Sequence, residues 1–138
     1  MLDLRDGISR NLAKAFPNCT IFGDERVRQG LKTPSFFVGL GEYSTKPLPS
    51  GLIEIKQHVE LIYFPETEGD HQELWHIGHQ ALTCLEQIPL QDGSRTRGNS
   101  RRYWANDGLL HIHATYRLRV KETTQIALMG HMKRQTTS

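Results

Sequence analysis

Between Gly51 and Pro65 the chain alternates. From Ile53 the odd positions read Ile53, Ile55, Gln57, Val59, Leu61 and Tyr63, and the even ones Glu54, Lys56, His58 and Glu60 before turning apolar at Ile62 and Phe64. A period of two over this length predicts a long strand with one covered and one wet face. Gly108 to Val120 repeats the pattern, with Leu110, Ile112, Ala114, Tyr116, Leu118 and Val120 on one side and His111, His113, Thr115, Arg117 and Arg119 on the other. Two long strands, each half wet, imply an antiparallel sheet with helices against its apolar face.

The remaining segments fit around that pair. Asp3 to Ala15 places Leu4, Ile8, Leu12 and Ala15 on one helical stripe that Pro17 and Asn18 end. Cys19 to Phe22 reads as a short first strand, and Ser35 to Glu42 as a second one alternating Phe36, Val38 and Leu40 against its other face. Pro47, Pro49 and Gly51 predict a long, Pro-stiffened hairpin tip between this strand and the next. Asp70 and Glu73 have capping-box spacing ahead of a helix in which Leu74, Ile77, Gly78, Ala81, Leu85 and Ile88 share a stripe as far as Pro89. Arg95 to Ala105, a turn at Asn106-Asp107-Gly108 and the strand that follows form a second hairpin. The expected fold is α+β, in the order α-β-β-β-α-β-β. Four to five strands form an antiparallel sheet, with room for a mixed edge, and two helices pack on one face. Residues 1–122 make the domain, and 123–138 form an extension, flexible or docked on a neighbouring subunit.

With 138 residues there is room for one core. A net charge of +2 is too small to mark a dedicated nucleic-acid binder. Cys19 and Cys84 have neither metal nor redox spacing and read as free thiols of a cytosolic protein. No window approaches the roughly 18 apolar residues of a membrane span.

Candidate chemistry is sparse. His76 and His79 share a helix, and His111 and His113 share a strand face, but the two pairs fall on different sides of the sheet, so no set of three or four ligands converges. No nucleophile motif or phosphate loop is present, and Glu66 and Glu68 before a helix are explained by its dipole. Neither an enzyme nor a cofactor is expected. The basic segment Arg95, Arg97, Arg101, Arg102 with Tyr103 and Trp104 is the strongest signal. It suits an interface with an acidic partner or, as the alternative, a small nucleic-acid-binding module using the 95–104 hairpin. Phe37 and Phe64 point away from the covered face at neighbouring sheet ends, which suits a second packing partner or a satellite core under the loops.

Gln29-Gly30-Leu31-Lys32 with Pro34, Phe36 and Phe37, then Tyr63-Phe64-Pro65 and an acidic lead-in to a Leu-rich helix, resembles the tail terminator family of phages and prophages of Gram-positive bacteria over roughly residues 1–122. The resemblance implies a structural protein, without enzymatic activity or cofactor. It would cap the tail tube as a homo-hexameric ring, end tube polymerisation and form the head–tail joining surface. Implied partners are the tail tube protein and a head-completion or connector protein or, in headless particles, a collar or sheath protein, with DNA passing through the lumen and no membrane. The implied location is the virion tail, or a phage-tail-like particle, assembled in the host cytoplasm. Ring or tube contacts are expected at Arg95, Arg97, Arg101, Arg102, Tyr103 and Trp104 on the hairpin, at Phe37 and Phe64, and at Pro47 and Pro49.

Overall fold

A computed structural model describes residues 2–23, 33–66 and 71–121. Helix α1 (Leu2–Ala15) leads to strands β1 (Thr20–Phe22) and β2 (Ser35–Leu48), a 3-10 turn (Pro49–Gly51) and strand β3 (Leu52–Phe64). Helix α2 (His71–Cys84) and strands β4 (Gln87–Pro89), β5 (Arg95–Asn106) and β6 (Leu109–Lys121) complete it. The six strands form one sheet in the order β1-β2-β3-β6-β5-β4. Only β1 against β2 is parallel, so the sheet is mixed at that edge.

The two alternating segments are neighbours. Leu61 pairs with Ile112, Val59 with Ala114 and Gln57 with Tyr116, and all six side chains are buried on the face the helices cover. From α1, Leu4, Ile8 and Leu12 enter this core, and Leu74 and Ala81 enter it from α2. Burying a Leu or Ile side chain stabilises by roughly 1.5–3 kcal/mol, so these stripes hold the helices down. Asn11 ties the layers with polar bonds, donating to the carbonyls of Cys84 and Gln87 at 3.0 Å each.

The structure changes the expected elements in two places. Among the described residues there are six strands, because Gln87–Pro89 forms β4 rather than the end of a helix. Pro89 disfavours helical backbone at Ile88, and α2 stops at Cys84. Leu85 and Ile88 are buried nonetheless, so helical spacing had registered a real core but not the change of element. The long hairpin tip is also absent. β2 continues through exposed Ser44, Thr45 and Lys46 to Leu48, pairing with β3 down to Leu48–Leu52, and the turn is three residues with positive φ at Ser50 and Gly51. Both faces are wet there, so alternation had nothing to report. The Asp107-Gly108 turn is as expected, a two-residue loop with φ of 54° and 76°. Gln29 to Lys32, the Asp70 cap and residues 123–138 lie outside the described residues.

Candidate assembly surface

The face of the sheet that carries no helix is ordered row by row. Register sets Phe37, Ile62, His111 and Trp104 side by side across four strands, and the next row continues Glu60, His113 and Arg102. Below these lie His58, Thr115 and Asn99, then Lys56 with Arg117, then Glu54 with Arg119. The surface therefore grades from aromatic at one end to charged at the other. At the aromatic end Phe22 joins Phe37 and Phe64, with ring centroids 5.8 and 6.0 Å apart, and all three are half-buried.

Polar side chains in the middle rows contact one another. His58 Nε2 lies 2.9 Å from His113 Nδ1, His58 Nδ1 lies 3.2 Å from Thr115 Oγ1, and His113 Nε2 faces Glu60 Oε1 at 3.9 Å. With both rings neutral, Glu60 favours a proton on His113 Nε2. His58 Nε2–H then donates to His113 Nδ1, and the Thr115 hydroxyl donates to His58 Nδ1. Burial pushes the His113 pKa down, and nearby His58, Arg102 and His111 add to this against the opposing pull of Glu60. Trp104 stacks on His111 at 5.5 Å with 14° between planes, and the Arg102 guanidinium sits 5.6 Å from the Trp104 ring centre. Among the described residues no three His, Cys, Asp or Glu side chains are arranged to hold a metal ion.

The basic hairpin is split between the two sides of the sheet. A bulge between Asn99 and Arg102, with φ of 52° at Ser100, sends Arg101 toward the helices and Arg102 to the free face. Arg101 Nη1 donates to the Leu82 carbonyl near the end of α2 at 2.7 Å, beside an open polar depression that Leu82, Thr83, Arg97 and Asn99 also line. Tyr103 packs under α2 against Gly78, with its hydroxyl 2.6 Å from His79 Nδ1 and its ring edge-on to Trp75. Arg95, Arg97 and Trp104 keep to the free face with Arg102. Trp104 is 39% exposed.

Pro47 and Pro49 are both exposed at the β2–β3 tip, Pro47 within the strand and Pro49 in the turn. Register brings Phe37 and Trp104 into one row and leaves Pro47 and Pro49 at the opposite end. Sequence reasoning did not single out His58, Glu60 and Thr115 as a group. Alternation put each on a wet face, but only strand register could put them in contact.

Among the described residues both long edges of the sheet are left open over most of their length. β1 covers β2 only from Ser35 to Phe37, and β4 covers β5 only from Arg95 to Arg97. Beyond those points β2 from Leu40 to Pro47 and most of β5 from Asn99 to Asn106 have exposed side chains. Because β2, β3, β6 and β5 are successively antiparallel, the two open edges run in opposite directions.

A family model described as "Phage tail terminator protein" matches residues 3–127, from α1 through β6 and past it. No curated protein matches the chain.

Proposed function

The chain belongs to the phage tail terminator family, whose members are structural proteins of phage tails, and on that premise we propose that it caps the tail tube as a ring of identical subunits. The observation carrying this reading is the pair of oppositely running edges that the described residues leave open. A head-to-tail contact sets β2 of one copy against β5 of the next in the antiparallel sense, and repetition around an axis closes a ring with no free edge. Both edges carry a bulge, which limits pairing to a partner of matching shape. In this reading the ring is a hexamer that ends tube polymerisation and offers its other rim to the head-completion protein, with the Pro47–Pro49 tip and the Trp104 end of the hairpin at opposite ends of the sheet.

Pro47 suggests which groups face the neighbour. Proline is tolerated in a paired strand only where its nitrogen points away from the ladder, so the backbone nitrogens of Tyr43 and Thr45, in phase with Pro47, face outward. Thr45→Pro then removes an outer donor and leaves the β2–β3 ladder intact. The test is tail-tube polymerisation in vitro with electron microscopy of tube ends. Wild-type protein gives short, capped tubes, and Thr45→Pro gives long, open ones with an unchanged circular dichroism spectrum. Unlimited tube growth with wild-type protein sinks capping, and wild-type capping by Thr45→Pro sinks the edge contact.

A further inference from the structure

We infer that the helix-free face of the sheet is a binding surface for the phosphate backbone of double-stranded nucleic acid, a contact that capping a tube does not require. The basis is the segregation of charge by the fold. On the free face of β3, β5 and β6 stand Lys56, then Arg95, Arg97 and Arg102, then Arg117, Arg119 and Lys121, against the two carboxylates Glu54 and Glu60. Seven cations against two anions is an excess of five, whereas the whole chain carries only +2, so the remainder is net negative. Counting Glu86, which reaches Arg97 from the turn after α2, still leaves an excess above the chain's total.

Among the described residues these cations are not consumed by the fold. Glu54 alone serves both Arg117 and Arg119, each at 4.0 Å, and Glu86 approaches Arg97 at 3.8 Å. Arg97 and Arg119 remain more than 70% exposed and Arg117 52%, and such exposed pairs are weak. Arg95 is held by one long bond to Gln87 Oε1 at 3.3 Å, and Arg102 lies over Trp104. Arginines on adjacent strands stand about 4.8 Å apart and successive ones on a strand about 6.7 Å, which makes a two-dimensional array rather than a single recognition point.

That array distinguishes nucleic acid from an acidic protein. A protein interface is built on an apolar centre with charges at its rim. Here the middle rows are polar, with His58, His113, Thr115, Asn99 and Glu60 beside Arg102, most of the cations lie toward one end, and the apolar side chains Phe22, Phe37 and Phe64 are gathered at the other. No row offers the donor and acceptor pattern of base readout within a groove-filling element, so the contact expected is to backbone and independent of sequence.

The experiment is fluorescence anisotropy of a labelled random-sequence duplex of ~30 base pairs titrated with the full chain between about 50 and 200 mM salt. With about four phosphates neutralised, affinity falls by about two orders of magnitude over that range. Arg117→Gln with Arg119→Gln lowers the salt slope by about two and the low-salt affinity at least ~10-fold, and Arg95→Gln with Arg97→Gln does the same from the neighbouring strand. Arg10→Gln, on the exposed side of α1, changes neither. Three outcomes overturn the inference: no salt-dependent binding, double variants that bind like wild type, or poly-glutamate of matched charge binding as tightly as the duplex, which would mark an acidic protein partner. Tube capping is read in a separate assay without nucleic acid, so a protein that caps but does not bind the duplex refutes this inference alone.

Discussion

The Tyr116 hydroxyl donates a 2.6 Å hydrogen bond to the Leu85 carbonyl, joining the middle of β6 to the residue at which α2 has just ended. Gly98 on β5 fits between them, since a Cβ there would collide with the same carbonyl oxygen. Tyr116 is fully buried, and burial holds its phenol far above the usual tyrosine range, so it remains a donor at any working pH. Tyr116→Phe leaves the Leu85 oxygen without that donor and should cost about 1–3 kcal/mol. Urea unfolding of the two proteins measures it, and Gly98→Ala should be at least as damaging.

Gly78 lets α2 lie on β5. A Cβ at this position would sit 2.7 Å from two carbons of the Tyr103 ring. Alanine gains about 1 kcal/mol in helix propensity but overpacks by roughly 1–3 kcal/mol, so Gly78→Ala should be net destabilising. The check is a double-mutant cycle with Tyr103→Ala, in which the alanine at 78 becomes neutral or favourable once the ring is gone. A penalty that persists without the ring would place its cause elsewhere.

Arg101 and Arg102 are adjacent in sequence and opposite in role. Arg101→Glu removes the bond to the Leu82 carbonyl and puts a carboxylate near the negative end of α2, which should lower stability by about 1 kcal/mol. Arg102→Glu removes the contact with exposed Trp104 and a cation beside His113, forms no bond to the helices to lose, and should leave stability at neutral pH within about 0.5 kcal/mol of wild type while weakening what docks on the free face. Thermal melts of the two variants separate these roles. Equal melting temperatures would contradict the division of the hairpin by the bulge.

His113 should make stability depend on pH in one direction. His113 has a folded pKa below the ordinary imidazole value of 6.5, chiefly through burial. The unfolded chain therefore takes up the proton first. The contribution of His113 is fully present above pH 6.5 and is lost as pH falls below it. Glu60 and His58 face it from β3, Arg102 and Trp104 from β5, and His111 from β6. Urea midpoints followed across this range should fall more steeply with acid for wild type than for His113→Phe. Parallel curves would rule out a titrating His113.

Much of the fold was legible in the chain because burial on one face writes a period into the sequence. The alternation from Ile53 to Tyr63 and from Leu110 to Val120 identified the two central strands and their covered side, and Asp107-Gly108 identified the hairpin, since two positive φ angles demand such residues. Local chemistry also named the exposed arginines and the Phe residues that leave the core. Where neither face is covered, as in Ser44 to Lys46, no period is written and the length of β2 was invisible. The three residues of β4 are too few to show one.

What only the tertiary structure decided is which side chains meet. Register, fixed by long-range backbone pairing, placed His58 against His113 and lined the arginines of β5 with those of β6 on one face. The bulge at Ser100 reversed the sense of the alternation, so a basic run that is continuous in sequence divides between the helices and the open face. A side chain's period is local and can be read along the chain. Its neighbours across the sheet are set by strands dozens of residues away, and nothing local encodes them.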